Sequence, residues 1–263
     1  MFEIQYKNLI HRVLNYGDYR KGRNGNTFSL FGETLSFDLE KEFPLLLGRK
    51  IYHKGVFGEL AALLRQPKNI EDFKKFDCHY WDLWKSVDGS INVDYGNKWL
   101  NWDGVNQLEN LITTLKENPT DRRMLISGWD PRNIDNLDLP CCHYMYQWYV
   151  RRGRLDMLWN QRSVDTMIGL PSDAVFAAVW NIAIANEVGL KAGKVTMMLG
   201  DTHIYDEHME NIQEYLDTNL EGIQRPSYEL RMPLGQRTVD FVPSDIEIVN
   251  YNPVKKIKFE LKG

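Results

Sequence analysis

The sequence predicts an α+β fold: apolar residues recur at helical spacing in some segments and alternate in others, and the two kinds mix without the regular βαβ rhythm of a parallel sheet. No Pro/Gly/Ser-rich linker or compositional shift divides the 263 residues, so a single domain over 1–263 is expected. Hydrophobic residues at 43% and charged residues at 26% suffice for a sizeable core under a solvated surface.

Phe2, Tyr6, Leu9, Ile10, Val13 and Leu14 follow helical spacing and stop at Gly17, which predicts a helix over 2–16. From Thr27 to Leu39 the pattern alternates, with Phe28, Leu30, Leu35, Phe37 and Leu39 around Gly32, as in a bent or hairpin-like pair of strands. Helical spacing returns at Val56 to Leu64 and at Leu108 to Leu115. The strand-like runs Tyr144 to Val150 and Leu155 to Asn160 flank Arg151-Arg152-Gly153-Arg154 and form a hairpin. From Pro171 an apolar run through Trp180 to about Glu187 predicts a largely buried helix. No internal repeat or low-complexity tract is present.

Apolar stretches are interrupted well short of a membrane span, and Met1-Phe2-Glu3-Ile4-Gln5 lacks the basic and apolar regions of a signal peptide, so a cytoplasmic protein is expected. Cys78, Cys141 and Cys142 are too few, and two of them too close, for a disulfide framework or a zinc site. No metal is expected, and at least one thiol is free to react. A net charge of −4 argues against a surface that grips nucleic-acid phosphates. The basic pairs Arg122-Arg123 and Arg151-Arg152 suit either a small anion or plain solvation.

Leu139-Pro140-Cys141-Cys142-His143 places two thiols at the mouth of a strand. Gln161-Arg162-Ser163-Val164-Asp165 and Gly169-Leu170-Pro171 follow, and then Gly200-Asp201-Thr202-His203-Ile204-Tyr205. Together these segments resemble the thymidylate synthase family, and the similarity runs from Arg23-Asn24-Gly25-Asn26-Thr27 through Asp121-Arg122-Arg123 to the last strand. The resemblance implies a mixed sheet packed with helices, a sheet-mediated homodimer, a pyrimidine nucleoside monophosphate as substrate and 5,10-methylenetetrahydrofolate as one-carbon donor. It puts the nucleophile at Cys142, with Cys141 where a proline is usual. The ring carbon to be alkylated becomes nucleophilic only after a thiolate adds to its neighbour, and Arg162 is expected to lower the thiol pKa.

The same resemblance assigns the phosphate to Arg23, Arg162 and Ser163 of one subunit, with Arg122 and Arg123 from its twin; guanidinium forks neutralise a dianion well. Gln161 falls among the nucleotide-binding positions, and His203 and Tyr205 on the pair that holds the sugar hydroxyl. Glu59 matches the general acid/base, and Tyr95 and His143 line its water network. Trp81, Trp84, Leu139, Asp165 and Gly169 match the positions around the pterin, Ser172 lies beside them, and Arg49 falls where a lysine often faces the folate's glutamate tail. Without the resemblance, Glu59 reads as a first-turn carboxylate favoured by the helix dipole, and the tryptophans read as core.

One departure carries information. The family's uracil-reading asparagine is here Asp173, preceded by Ser172 in place of phenylalanine. An amide matches uracil's carbonyl and imide, whereas a carboxylate only accepts and suits the amino group of cytosine. A proton shared between Asp173 and the ring nitrogen also neutralises charge that develops there. Aspartate at this place is similar to the dCMP hydroxymethylases. Ser172 and the tail Ile257-Lys258-Phe259-Glu260-Leu261-Lys262-Gly263 loosen the seal against water, which favours a hydroxymethyl over a methyl product, while Trp81 and Trp84 favour the reverse. The alternatives are a methylating enzyme that releases dihydrofolate, a relative that binds nucleotide or RNA without catalysis, and a local role in which Ser172 caps a helix and Asp173 serves as its first-turn anion.

Overall fold

The structure, a computed structural model, describes residues 1–262. Its elements in chain order are α1 (Phe2–Tyr16), β1 (Asp18–Gly22), β2 (Gly25–Asp38), α2 (His53–Leu63), α3 (Ile70–Lys74), α4 (Tyr95–Leu100) and α5 (Gln107–Glu117). After these come β3 (Leu125–Ser127), β4 (His143–Arg151), β5 (Arg154–Asp165), α6 (Gly169–Glu187), β6 (Lys191–Tyr205), α7 (Met209–Leu216), β7 (Ser227–Leu230) and β8 (Ile246–Val249). The fold is α+β, as expected.

Six strands form one sheet in the order β1-β2-β6-β5-β4-β3, and β7 pairs with β8 apart from it. Only β5 and β6 run parallel, so the sheet is mixed. The β4–β5 hairpin turns at Arg152 and Gly153, both with positive φ, which matches the right-handed twist of the flanking strands. α1 packs on β2 and β6, and α6 on β5 and β6. From Ala174 to Asn186 every residue of α6 is buried, so this helix has no polar stripe and lies inside the core. The opposite face of the sheet carries Phe31, Leu125, Tyr149 and Met198, exposed by 84%, 40%, 63% and 42%. No helix among the described residues is long and apolar enough to cross a membrane.

Where Thr27 to Leu39 reads as a pair of strands, the structure has one continuous strand, β2. Its pairing with β6 passes from Phe31↔Asp201 to Glu33↔Leu199 and skips Gly32 and Gly200. The β5–β6 pairing passes from Gln161↔Leu199 to Ser163↔Asp201 and skips Arg162. Three adjacent strands therefore bulge side by side. Gly32 has a φ of +88°, and a Cβ on Gly200 would stand 2.6 Å from the carbonyl oxygen of Arg162. The bulge reverses which side chains face the core: Val195, Met197 and Leu199 are buried before it, Thr202 and Ile204 after it.

Two further glycines fix the packing of α2. A Cβ on Gly58 would lie 2.0 Å from the backbone oxygen of Phe76, and one on Gly96 would lie 1.7 Å from that of Leu63. α2 thus touches the Phe76 segment and α4 backbone to backbone. Because α2 starts at His53, Glu59 lies in its second turn rather than the first, where the helix dipole is felt most.

Candidate active site

Cys141 and Cys142 directly precede β4 and face different surroundings. Cys141 is 1% exposed, with its thiol 3.5 Å from the Gly128 carbonyl, whereas Cys142 keeps accessible surface. The Cys142 N–H donates to the Tyr95 hydroxyl at 2.8 Å, and its carbonyl accepts from the Arg162 N–H at 2.8 Å. At the bulge, the Arg162 guanidinium donates to the carbonyls of Cys141 at 2.8 Å and Pro140 at 2.9 Å. It lies 5.4 Å from the centre of the Trp129 ring. The loop carrying the thiol is thereby tied to β5 and α4.

The expected lowering of the thiol pKa is not what this environment produces. Burial pushes the Cys142 thiol up, Arg162 opposes the rise, and Asp173 adds to it. Desolvation outweighs one partly exposed guanidinium, so the resting group is a thiol.

Glu59 accepts from the indole N–H of Trp81 at 2.8 Å. Trp81 is only 3% exposed; its ring stacks on Phe73 at 5.2 Å and meets Trp84 and Tyr95 edge-on, each at 5.7 Å. It is a core residue that holds the Glu59 carboxyl in place, while Trp84 remains half-buried beside it. Burial, helped by the charge of Asp173 and opposed by the Trp81 bond, raises Glu59 to about 8.

Asp173 Oδ2 accepts from Gln161 Nε2 at 2.6 Å. The amide of Gln161 is oriented by its other bonds, because Oε1 accepts from the Trp159 indole at 3.0 Å while Nε2 also donates to the Ser163 carbonyl at 3.1 Å. Burial raises Asp173 to about 7, with the Gln161 bond opposing and Asp165 contributing. Asp173 and Glu59 are each half-buried: protein surrounds both carboxyls, yet both keep surface that water reaches. The capping alternative fails on geometry. α6 begins at Gly169, the backbone N–H groups of Met167 and Ile168 donate to Asp165 Oδ1 at 2.8 and 3.2 Å, and Ser172 Oγ donates to the Ile168 carbonyl at 3.3 Å.

His143 is buried 4.6 Å from the Tyr95 ring and shares a 2.6 Å hydrogen bond with the Tyr146 hydroxyl; burial lowers it to about 3, so the ring is neutral. His203 bonds Asp201 at 3.1 Å and meets the Tyr205 ring edge-on at 5.3 Å. Ser163 and Leu139 are half-buried, next to Arg162 and ahead of the cysteine pair. Arg23 is exposed at the β1–β2 turn, and Arg122 and Arg123 are exposed ahead of β3, where Arg123 pairs with Asp121 at 2.6 Å. Arg49 is 5% exposed, bonds the Met167 carbonyl and lies 4.7 Å from the Phe259 ring, so its charge is turned inward. Trp129, which lies against Arg162, carries no periodic or motif signal in the sequence, and Tyr146 reads there only as one position of the β4 run, with nothing to announce its bond to His143. Gly263, the end of the tail, lies outside the described residues.

A partly exposed thiol on a loop braced by arginine, two enclosed carboxyls and a set of aromatic rings are the groups that nucleophilic and acid/base chemistry on a bound ring would need. The family model for thymidylate synthase matches residues 4–262. A protein of Corynebacterium aurimucosum named thymidylate synthase is 34% identical over 267 residues, covering 99% of this chain and 98% of that relative. The chain belongs to the thymidylate synthase family, whose members are one-carbon transferases that take a pyrimidine nucleotide and 5,10-methylenetetrahydrofolate.

The residues present fit a flat heterocycle. Gly169 adjoins both carboxylates, since a Cβ there would meet Asp173 Oδ2 at 3.6 Å and Asp165 Cβ at 3.8 Å as ordinary contacts. Asp165, Trp84 and Leu139 are the half-buried residues that would hold the folate there.

Proposed function

We propose that the chain places a hydroxymethyl group on C5 of a cytidylate, dCMP or CMP, using 5,10-methylenetetrahydrofolate and water. The observation that carries this reading is Asp173: a carboxyl, aligned by Gln161, that can accept through one oxygen and hold a proton on the other, caps no helix and keeps a water-reachable surface beside Gly169.

In this reading the sulfur of Cys142 bonds to C6 of the pyrimidine, and the electron pair released moves to C5 and towards the ring nitrogen N3. Asp173 accepts from the exocyclic amino group and shares a proton with N3, so charge arriving there is neutralised. Its elevated pKa suits that proton. The folate supplies carbon at the oxidation level of formaldehyde. Glu59, protonated at neutral pH and fixed by Trp81, orders water and moves protons: C5 bonds to the donated carbon and loses its hydrogen as a proton, the carbon's bond to the folate nitrogen would break to release tetrahydrofolate, hydroxide from water adds to the exocyclic carbon, and the Cys142–C6 bond breaks to restore the ring double bond and the thiol. Arg23, Arg162 and Ser163 bind the phosphate, and His203 and Tyr205 the sugar. Arg122 and Arg123 serve the neighbouring subunit of a homodimer formed through the open sheet face, a reading supported by the exposed Phe31 and Tyr149.

The test is to incubate the protein with methylenetetrahydrofolate and each of dCMP, CMP and dUMP and to weigh the products. A gain of one hydroxymethyl on a cytidylate, with tetrahydrofolate released, is the expected result. Conversion of dUMP alone to dTMP, with dihydrofolate released, would overturn it. That second reading, a methylating enzyme, is favoured by the name of the Corynebacterium relative.

A further inference from the structure

On the side of α2 away from Glu59 lies a cavity of about 1300 Å³. Gly55 and Glu59, one turn apart, share one face of the helix; His53 and Phe57 share another, because two residues of helix turn through about 200°. The cavity is lined by Phe57, Phe76 and the rings of His53 and Tyr251, whose centres are 5.6 Å apart. Lys50, Lys54 and Lys256 stand around these rings.

The charges there are unbalanced. The other two cations of the lining are already engaged, Lys75 with Asp72 at 2.8 Å and Arg231 with Glu247. Of the two carboxylates, Glu247 is taken by Arg231, and Asp77, which accepts from the neutral Tyr52 hydroxyl, keeps its charge and faces Lys54 without reaching ion-pair distance. Among the described residues, no carboxylate lies within ion-pair distance of Lys50, Lys54 or Lys256, and all three side chains are exposed. His53 adds a buried Nδ1 without a hydrogen-bond partner. Burial, together with the nearby charges of Lys54 and Lys50, lowers this imidazole to about 4, so it is neutral and available as a hydrogen-bonding group. Three exposed ammonium groups against one free carboxylate, around a set of rings and in a chain of net charge −4, leave a local excess of positive charge that suits a planar ring carrying several negative charges.

We propose that this cavity is a second nucleotide site that binds a nucleoside polyphosphate, with the phosphate chain on Lys50, Lys54 and Lys256 and the base among Tyr251, Phe57 and Phe76. The site lies behind α2 and is independent of the reaction assigned to Cys142. It is tested by isothermal titration of the full chain with ATP, inorganic tripolyphosphate and tetraglutamate, on wild type, K54E/K256E and R162A. The lysines are exposed, so their reversal leaves the fold intact, which equal melting temperatures will verify. The expected result is saturable ATP binding at one per chain, weakened on the order of tenfold or more in K54E/K256E and unchanged in R162A. ATP binding that is absent, or equal in wild type and K54E/K256E, overturns the proposal. Loss in R162A alone assigns the ATP to the catalytic cleft and overturns it too. Tripolyphosphate binding as tightly as ATP removes the ring from the site, and tetraglutamate binding in place of ATP removes the phosphate; either result refutes a nucleotide site.

Discussion

Replacing Asp173 by Asn should move the preference from cytosine to uracil. The variant keeps its anchor, because the amide oxygen can accept from Gln161 Nε2 as Asp173 Oδ2 does at 2.6 Å. What changes is the edge offered to the base: an amide donates to a carbonyl and accepts from an imide, so uracil gains a pair and cytosine loses one. Each mismatch leaves a polar group unpaired, at a cost of about 1–3 kcal/mol. The substitution removes one mismatch and creates another, so the two bases move apart by about 2–6 kcal/mol. At about 1.4 kcal/mol per tenfold this is a swing of roughly thirtyfold to about 10⁴-fold in the ratio of their kcat/KM values. Asp173 is only half-buried, and water relieves part of each mismatch, so the lower end is expected. The assay is kcat/KM for dCMP and dUMP in wild type and D173N, with products identified by mass. A ratio that moves less than about threefold, in a variant that melts like the wild type, would refute the claim that this side chain reads the base.

Three other outcomes follow from the same geometry. C142S should abolish turnover, while C141A, which truncates a buried thiol facing the Gly128 carbonyl, should keep the reaction and lose about 1 kcal/mol of stability on denaturant unfolding; the reverse pattern would make Cys141 the nucleophile. The raised carboxyls tie stability to pH. Their contribution is complete below ordinary carboxylate values and is lost as pH rises through about 7 for Asp173 and about 8 for Glu59. Melting should therefore fall between about pH 5 and about pH 9, and E59Q should flatten that fall; an equal slope in both proteins would contradict the assignment. Finally, F31E on the open sheet face should shift sedimentation towards monomer without loss of helical signal; an unchanged sedimentation coefficient would place any dimer contact elsewhere.

Much of this architecture can be read from period alone. α1, the β4–β5 hairpin and α6 announce themselves because burial on one face, on alternating faces or all round leaves a matching apolar pattern. β1 leaves none: all five of its residues are exposed, and it exists through pairing with β2. Gly32 looks like a turn because it reverses the alternation, and a bulge inside one strand produces the same reversal. In the site, the motif residues Arg162, Gln161 and Asp173 do converge around Cys142, but the direction of the Cys142 pKa could not be anticipated, since it depends on how much protein encloses the sulfur. Trp81 was legible as an aromatic near the cleft; its bond to Glu59 follows only once α2 and the 3-10 turn over Tyr80–Leu83 are set side by side.

The two glycines of α2 and α4 set a limit on how this enzyme can be reshaped. With hydrogen the only substituent that fits at Gly58 and Gly96, the distances from α2, which bears Glu59, to the Phe76 segment and to α4, which bears Tyr95, behave as fixed dimensions. Selection for a new substrate has to work through side chains hung on that frame, such as those at 172 and 173. Mutant libraries that spare positions 58 and 96 should therefore keep a larger share of folded clones than libraries that include them.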